Sequence, residues 1–436
     1  MEIETRSGNA LASPAQMLTQ NTASSAPYYM KALAIGIPAI LLGIQLSGWI
    51  FFIPVIKNGH FDFRQLYTAG YMVRSGYAHE IYTYDTEKKF QDKLISHEQI
   101  ALPFNHLAYE ALLFAPFSFL SYRRAYAAFT ILNLLFLWLS FRLLRPHMGN
   151  LAALWRWLPA AMFITFLPVA AALMQGQDSI LLLLLLASAW TALDQSCEWT
   201  AGLLTGLGLF KFQIVLPVAF VLLIWRRWRF LSGFTVAALA VGATSFSLAG
   251  MSQAPVYARS LVSMSVALSS QADQFRYGIS PVSMANLRGL SFGLLQTHLT
   301  AFWIQAVSIL FSVIVLLGIA VFHTRSCSSV GHWLADGYLL AITAASLASY
   351  HLLMHDLSVL LIPATLSLDR FVTAEGRRGS DGRLSAGAAG LIFIAPMLMA
   401  FVPAHFYLAS LPILAFLLVS IKMLAIPPAT PTATAV

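Results

Sequence analysis

Long apolar runs recur along this chain, at about 32–53, 125–141, 155–174, 179–193, 200–225, 231–250, 300–322, 334–349, 357–369, 385–402 and 408–426. A helix crosses the hydrocarbon of a bilayer in about 20 residues. Backbone immersed in lipid must satisfy its own polar groups, so unalternating runs of this length read as helices. The rest of the composition leaves no other solvent. Apolar residues make up 58% of the 436 and charged residues only 10%, against about a quarter charged in soluble domains. The expected fold class is therefore an all-α polytopic membrane protein of about 10–12 membrane helices. The net charge of +8 does not point to nucleic acid. That role needs Lys and Arg gathered on one polar face, whereas here they fall in short runs between apolar stretches.

Those runs orient the chain. Arg142, Arg145 and Arg156 flank one connector, Arg226, Arg227 and Arg229 form a second, Arg325 marks a third, and Arg370, Arg377, Arg378 and Arg383 crowd a fourth. Cytoplasmic loops carry the excess of basic residues. Placing all four connectors there puts the amino terminus inside and the long loops 54–124 and 251–299 outside. The chain then divides into a polar, disordered cytoplasmic tail (1–31), a membrane domain (32–427) and a short cytoplasmic tail (428–436). Cys197 and Cys327 fall in cytoplasmic connectors and are expected as free thiols. No cleavage site follows the first span, which reads as a retained anchor.

Two segments must be exceptional for this parity to hold. Leu107–Ser121 contains Glu110 and Pro116 and is short for a span, so it is expected along the outer interface as an amphipathic helix. Ala201–Trp225 must enter and leave on the same side. Gly202, Gly206, Gly208 and Pro217 allow two half-helices broken around Lys211, which protein or a cavity would have to surround.

Ionisable groups within or beside spans are costly and so mark candidate sites. Asp62 follows the first span in GHFDFRQLYTAGYMVRSGYAHEIY, where it could deprotonate a sugar hydroxyl or simply cap the next helix. Arg64, Tyr67, Asn105 and His106 share its loop and are candidate substrate contacts. In SYHLLMHDL, His351 and His355 lie four apart on one helical face, and Asp356 could orient an imidazole or cap a helix. No third ligand has a recognisable spacing, so no metal is expected. Lys211 either snorkels or binds a phosphate at the apex of a broken helix. Gln177, in the run Gln175-Gly176-Gln177-Asp178, is a binding residue or a polar cap. Arg276, Asn286 and Arg288 in the second outer loop suit a phosphate or surface pairing. No nucleophile elbow, phosphate-binding loop or dinucleotide fingerprint is present, and no cofactor is expected.

Read in order, these residues resemble a known family. The Asp-Phe…Tyr…Ala…Ser-Gly…Ile-Tyr run after the first span, then Leu102-Pro-Phe-Asn-His106, Leu112-Leu-Phe-Ala-Pro-Phe117, Gly176-Gln177, Ala201-Gly202…Lys211…Arg226-Arg227-Trp-Arg229 and Asp356-Leu-Ser-Val-Leu-Leu-Ile-Pro363 follow the pattern of bacterial glycosyltransferase family 87 over about residues 55–365. The resemblance implies a GT-C fold with its active site in the first outer loop, with short interfacial helices there. It also implies a polyprenyl-phosphate sugar donor, often mannose, and transfer with inversion to a lipid or envelope glycan acceptor at the bacterial inner membrane. It places the main catalytic carboxylate on Asp62 and a functional histidine on His351 or His355. The chain departs from the pattern where many members carry Tyr-Pro-Pro, having His106-Leu107-Ala108, and where many have Pro, having Tyr350. The competing class is a transporter or flippase, which predicts inverted repeats and charges near the bilayer midplane.

Overall fold

The computed structural model describes residues 28–264, 271–326, 333–372 and 380–425. Most of the first tail, the last tail, Cys327, Arg377 and Arg378 lie outside the described residues. Every regular element described is helical, so the chain is an all-α polytopic membrane protein. Six helices are long and apolar enough to cross a membrane, and a seventh if the bent pair Leu158–Thr165 and Leu167–Gln175 counts as one. The bend, 48°, falls at Phe166, which is extended two residues before Pro168, a residue without a backbone donor.

The first helix, Tyr28–Asn58, is apolar all round and exposes Ile50 and Phe51. A helix of that kind faces lipid. The 16-residue helices Ser179–Asp194 and Trp333–Ala348 are instead packed almost wholly inside the bundle. At about 1.5 Å per residue each rises about 24 Å, short of a bilayer. Just beyond their ends, Gln177 and Tyr350 line a recess sunk into one face of the molecule.

Arg227 is ion-paired with Glu198 at 2.5 Å, which fixes the path of the segment between them. Glu198–Ile224 is long and apolar enough to cross once, but a single straight crossing would hold its ends about 40 Å apart. The chain instead enters as Glu198–Leu207, turns through Gly208–Lys211 and returns as Phe212–Ile224. The next helix, Trp228–Ala249, then runs alongside the entering half. A Cβ on Gly202 would lie 1.8 Å from the Phe230 carbonyl oxygen, and one on Gly233 2.0 Å from that of Trp199. Only glycine lets the two backbones approach so closely.

Among the described basic connectors, Arg370 pairs with Asp336, and beside it Asp369 accepts from Leu151 N and Asn150 Nδ2. With both native cysteines, Cys197 and Cys327, first removed, a cysteine at Lys88 is expected to react with an impermeant maleimide added outside. One at Arg145 is expected to react only after the membrane is opened. Labelling in the reverse sense would overturn the orientation.

On the recess face, residues 59–121 form a small packed layer around Phe63, Leu66, Tyr67, Ile81, Tyr82, Phe104, Phe114 and Phe129. The expected single amphipathic helix over Leu107–Ser121 is three short pieces, Ala108–Glu110, Ala111–Phe114 and Pro116–Phe119. Its polarity is also inverted. Glu110 is fully buried, while Leu112, Leu113, Phe119 and Leu120 face outward.

Candidate active site

Gly176 carries the site. It ends the bent helix in the left-handed conformation (φ +63°), and a Cβ there would meet Phe63 Cβ at 2.6 Å. The Asp62–Phe63 corner therefore seats directly on this turn, and Asp62 lands beside the next residue. Gln177 Nε2 donates to Asp62 Oδ2 at 2.7 Å, and Gln177 Oε1 accepts from Lys211 Nζ at 3.1 Å. One amide thus ties the loop carboxylate to the apex of the re-entrant segment.

Lys211 is buried, and its ammonium lies 3.2 Å from Asp356 Oδ1 and 3.4 Å from Asp178 Oδ1. Asp356 also accepts from Ser179 Oγ at 3.1 Å and from Leu353 N at 3.1 Å. Burial pushes its carboxyl up, but Lys211, His355 and His351 together hold it below the usual carboxylate range. His355 Nδ1 contacts Gln175 Oε1 at 2.5 Å and its Nε2 lies 3.4 Å from Asp356 Oδ1. Burial pushes both histidines below the usual imidazole value, His351 to about 4. On the other side of Lys211, His106 Nδ1 lies 2.7 Å from Glu110 Oε2, with Asp178 beside them. Burial pushes His106 down to about 4, and it raises both Glu110 and Asp178 above the usual carboxylate range.

These groups floor a cavity of about 380 Å³ lined by Asp62, Asn105, His106, Gln177, Lys211, Arg276, Tyr350, His351 and His355 among others. Arg276 reaches it from the second outer loop with its guanidinium over the Tyr84 ring, 4.9 Å from the centroid. A second, apolar cavity of about 810 Å³ adjoins it, between Phe51 and Phe52 of the first helix, Leu167 and Met174 of the bent pair, and Met397 and Phe406. Leu353 lines both. A carboxylate, fixed cations and imidazoles beside an apolar groove can deprotonate a hydroxyl and hold an anionic leaving group attached to a lipid.

The model of glycosyltransferase family 87 matches residues 109–349. The chain belongs to that family. No curated protein and no solved structure matches it. It is therefore a multi-pass membrane glycosyltransferase, a class that takes a sugar donor and an acceptor. The matched stretch contains Gln177, Lys211, Arg276 and Arg288 but ends before His351 and begins after Asp62 and His106, so the placing of those three rests on geometry.

The geometry of this family 87 transferase sorts the expected site residues. It brings Asp62, Asn105, His106, Gln177, Lys211, Arg276, His351 and His355 to one cavity, with Asp356 just behind Lys211. Three others point elsewhere. Arg64 is buried, and its guanidinium is bound to Gln91 Oε1, Ser96 Oγ and the Ser96 carbonyl, 3.6 Å from Asp92. It straps the loop together and does not face substrate. Tyr67 is buried and donates to the Leu120 carbonyl at 2.8 Å. Asn286 caps the helix Leu287–Leu295 through Gly289 N and donates to the Ser349 carbonyl. Arg288 is intermediate: it stacks on Tyr350 at 4.1 Å and donates to that residue's carbonyl, while its Nε and Nη2 stay buried without a hydrogen bond. Glu110 and Asp178 were not among the expected binding residues. An acid inside an apolar stretch such as LAYEALLF was the available signal.

Proposed function

We propose that this transferase moves a hexose, mannose-like, from a polyprenyl-phosphate donor to a lipid or envelope glycan acceptor, with inversion, on the extracytoplasmic face of a bacterial inner membrane. The observation that carries this reading is the adjacency of the two cavities. A polar pocket holding Asp62, Lys211 and Arg276 opens beside an apolar groove against the first helix. A lipid-linked phosphosugar has that same division, a charged head on an apolar chain. Asp62 takes the proton of the acceptor hydroxyl as the new bond forms. Lys211 and Arg276 face the charge that develops on the departing phosphate, and Arg288 supports that wall through Tyr350. In such an arrangement the polar residues gather at one end of the bundle and not at its middle, which favours an enzyme over a transporter.

The test is transfer by the purified protein in nanodiscs, offered labelled polyprenyl-phosphate hexoses in parallel with sugar nucleotides. Label is expected to leave the lipid-linked donors alone among these. Transfer from sugar nucleotides with none from lipid-linked donors would overturn the donor assignment.

A further inference from the structure

The side of the pocket away from Asp62 gathers more acidic side chains than the one fixed cation beside them can pair with. Three buried carboxylates, Glu110, Asp178 and Asp356, crowd around Lys211. Among the described residues Lys211 is the one permanently charged cation in ion-pair contact with any of them. Asp356 is well served by Lys211, Ser179 and Leu353 N. The other two are not. Among the described residues no N–H group donates a well-formed hydrogen bond to Glu110 or Asp178, whose carboxyl groups lie within hydrogen-bond reach of each other, and His106 Nδ1 is likewise without one despite its 2.7 Å approach to Glu110. Buried charges in proteins are paired or bind metal.

His106, Glu110 and Asp178 converge. His106 Nδ1, one Glu110 oxygen and one Asp178 oxygen lie within 4.8 Å of one another. Donors each about 2.1 Å from a tetrahedral ion are separated by about 3.4 Å, so side-chain adjustments of up to about an ångström close the set. The supports are fixed. Tyr82 donates to the His106 carbonyl at 2.9 Å, Phe104 stacks on the imidazole, and Asp178 begins the helix Ser179–Asp194. His106 also lines the pocket, which gives an ion its way in.

We infer that His106, Glu110 and Asp178 form a binding site for one divalent cation, of the class that accepts one imidazole and two carboxylates, such as Mn²⁺ or Zn²⁺. This departs from the expectation of no metal, for which a metal was weighed only at His351, His355 and Asp356. The ion ties the loop bearing His106 and Glu110 to the start of the helix after Asp178. Lys211, 3.4 Å from Asp178, stays on the far side of that carboxylate and keeps Asp356 as its partner.

The experiment needs no knowledge of the reaction. The full-length protein in detergent is stripped with chelator, titrated with Mn²⁺ and followed by electron spin resonance. One Mn²⁺ per chain is expected, with hyperfine coupling to a single imidazole nitrogen and a rise in Tm that grows with Mn²⁺ concentration. Glu110→Gln and Asp178→Asn are each expected to abolish that bound signal. No bound Mn²⁺ or Zn²⁺ in the wild-type chain, Mn²⁺ without nitrogen coupling, or binding that survives in both variants would each overturn the site. If either variant fails to fold, the coupling in the wild-type chain decides.

Discussion

Asp62→Asn is expected to lower turnover by at least about a hundredfold, the lower end of what a positioned general base contributes. The carboxylate is held at one oxygen only. Gln177 donates to Oδ2, and among the described residues no hydrogen bond engages Oδ1, which faces the pocket. Asparagine keeps the shape and can still accept from Gln177 through its own oxygen, so the loop should stay in place. What it loses is the capacity to take a proton from the acceptor hydroxyl. Donor affinity and Tm are expected to change little, because Asp62 is half-buried at the pocket mouth and the packing of its corner is carried by Phe63 on Gly176. Turnover with a saturating lipid-linked donor, measured alongside thermal unfolding, checks this. Wild-type turnover in folded Asp62→Asn would remove the base from Asp62.

The residues that could be read from sequence were those whose position alone was anomalous. Lys211 stands out as a lone cation in an apolar stretch, and the glycines around it permit the turn that the Arg227–Glu198 pair now shows. Asp62 and the histidines stand at the ends of spans, where polar side chains reach the interface. Arg64 and Tyr67 could not be separated from Asp62 in this way, because what turns them inward is contact with Gln91, Ser96 and Leu120, residues distant in the chain. The same limit hid the pairing of Glu110 with Asp178. Their approach depends on Ala108–Glu110 packing against Trp228–Ala249, where Tyr109 N donates to Ser245 Oγ. A hydropathy pattern also misplaces Leu107–Ser121, since it assigns the acid of an amphipathic helix to water. Here the acid faces the site and the apolar side faces out. An expectation of orientation does not depend on such contacts, because it is drawn from basic connectors alone.

Lys211→Met should have the second large effect, and on two quantities that separate. Removing the ammonium leaves Asp356 and Asp178 without their shared cation in a buried setting. Breaking a buried pair by deleting one partner costs about 3–5 kcal/mol, because the remaining charge stays desolvated. A marked fall in Tm is therefore expected, and donor affinity should fall with it if the ammonium also faces the leaving phosphate. The double variant Lys211→Met with Asp356→Asn divides the two roles. Asparagine carries no charge and can still accept from Ser179 and Leu353 N, so part of the lost stability should return. Donor affinity should not return, since no cation has been restored at the re-entrant apex. Lys211→Arg provides the reverse comparison: it keeps the charge but changes the shape, and some donor binding should survive. Recovery of donor affinity together with stability in the double variant would confine Lys211 to a structural role and leave the phosphate to Arg276 and the neighbouring wall.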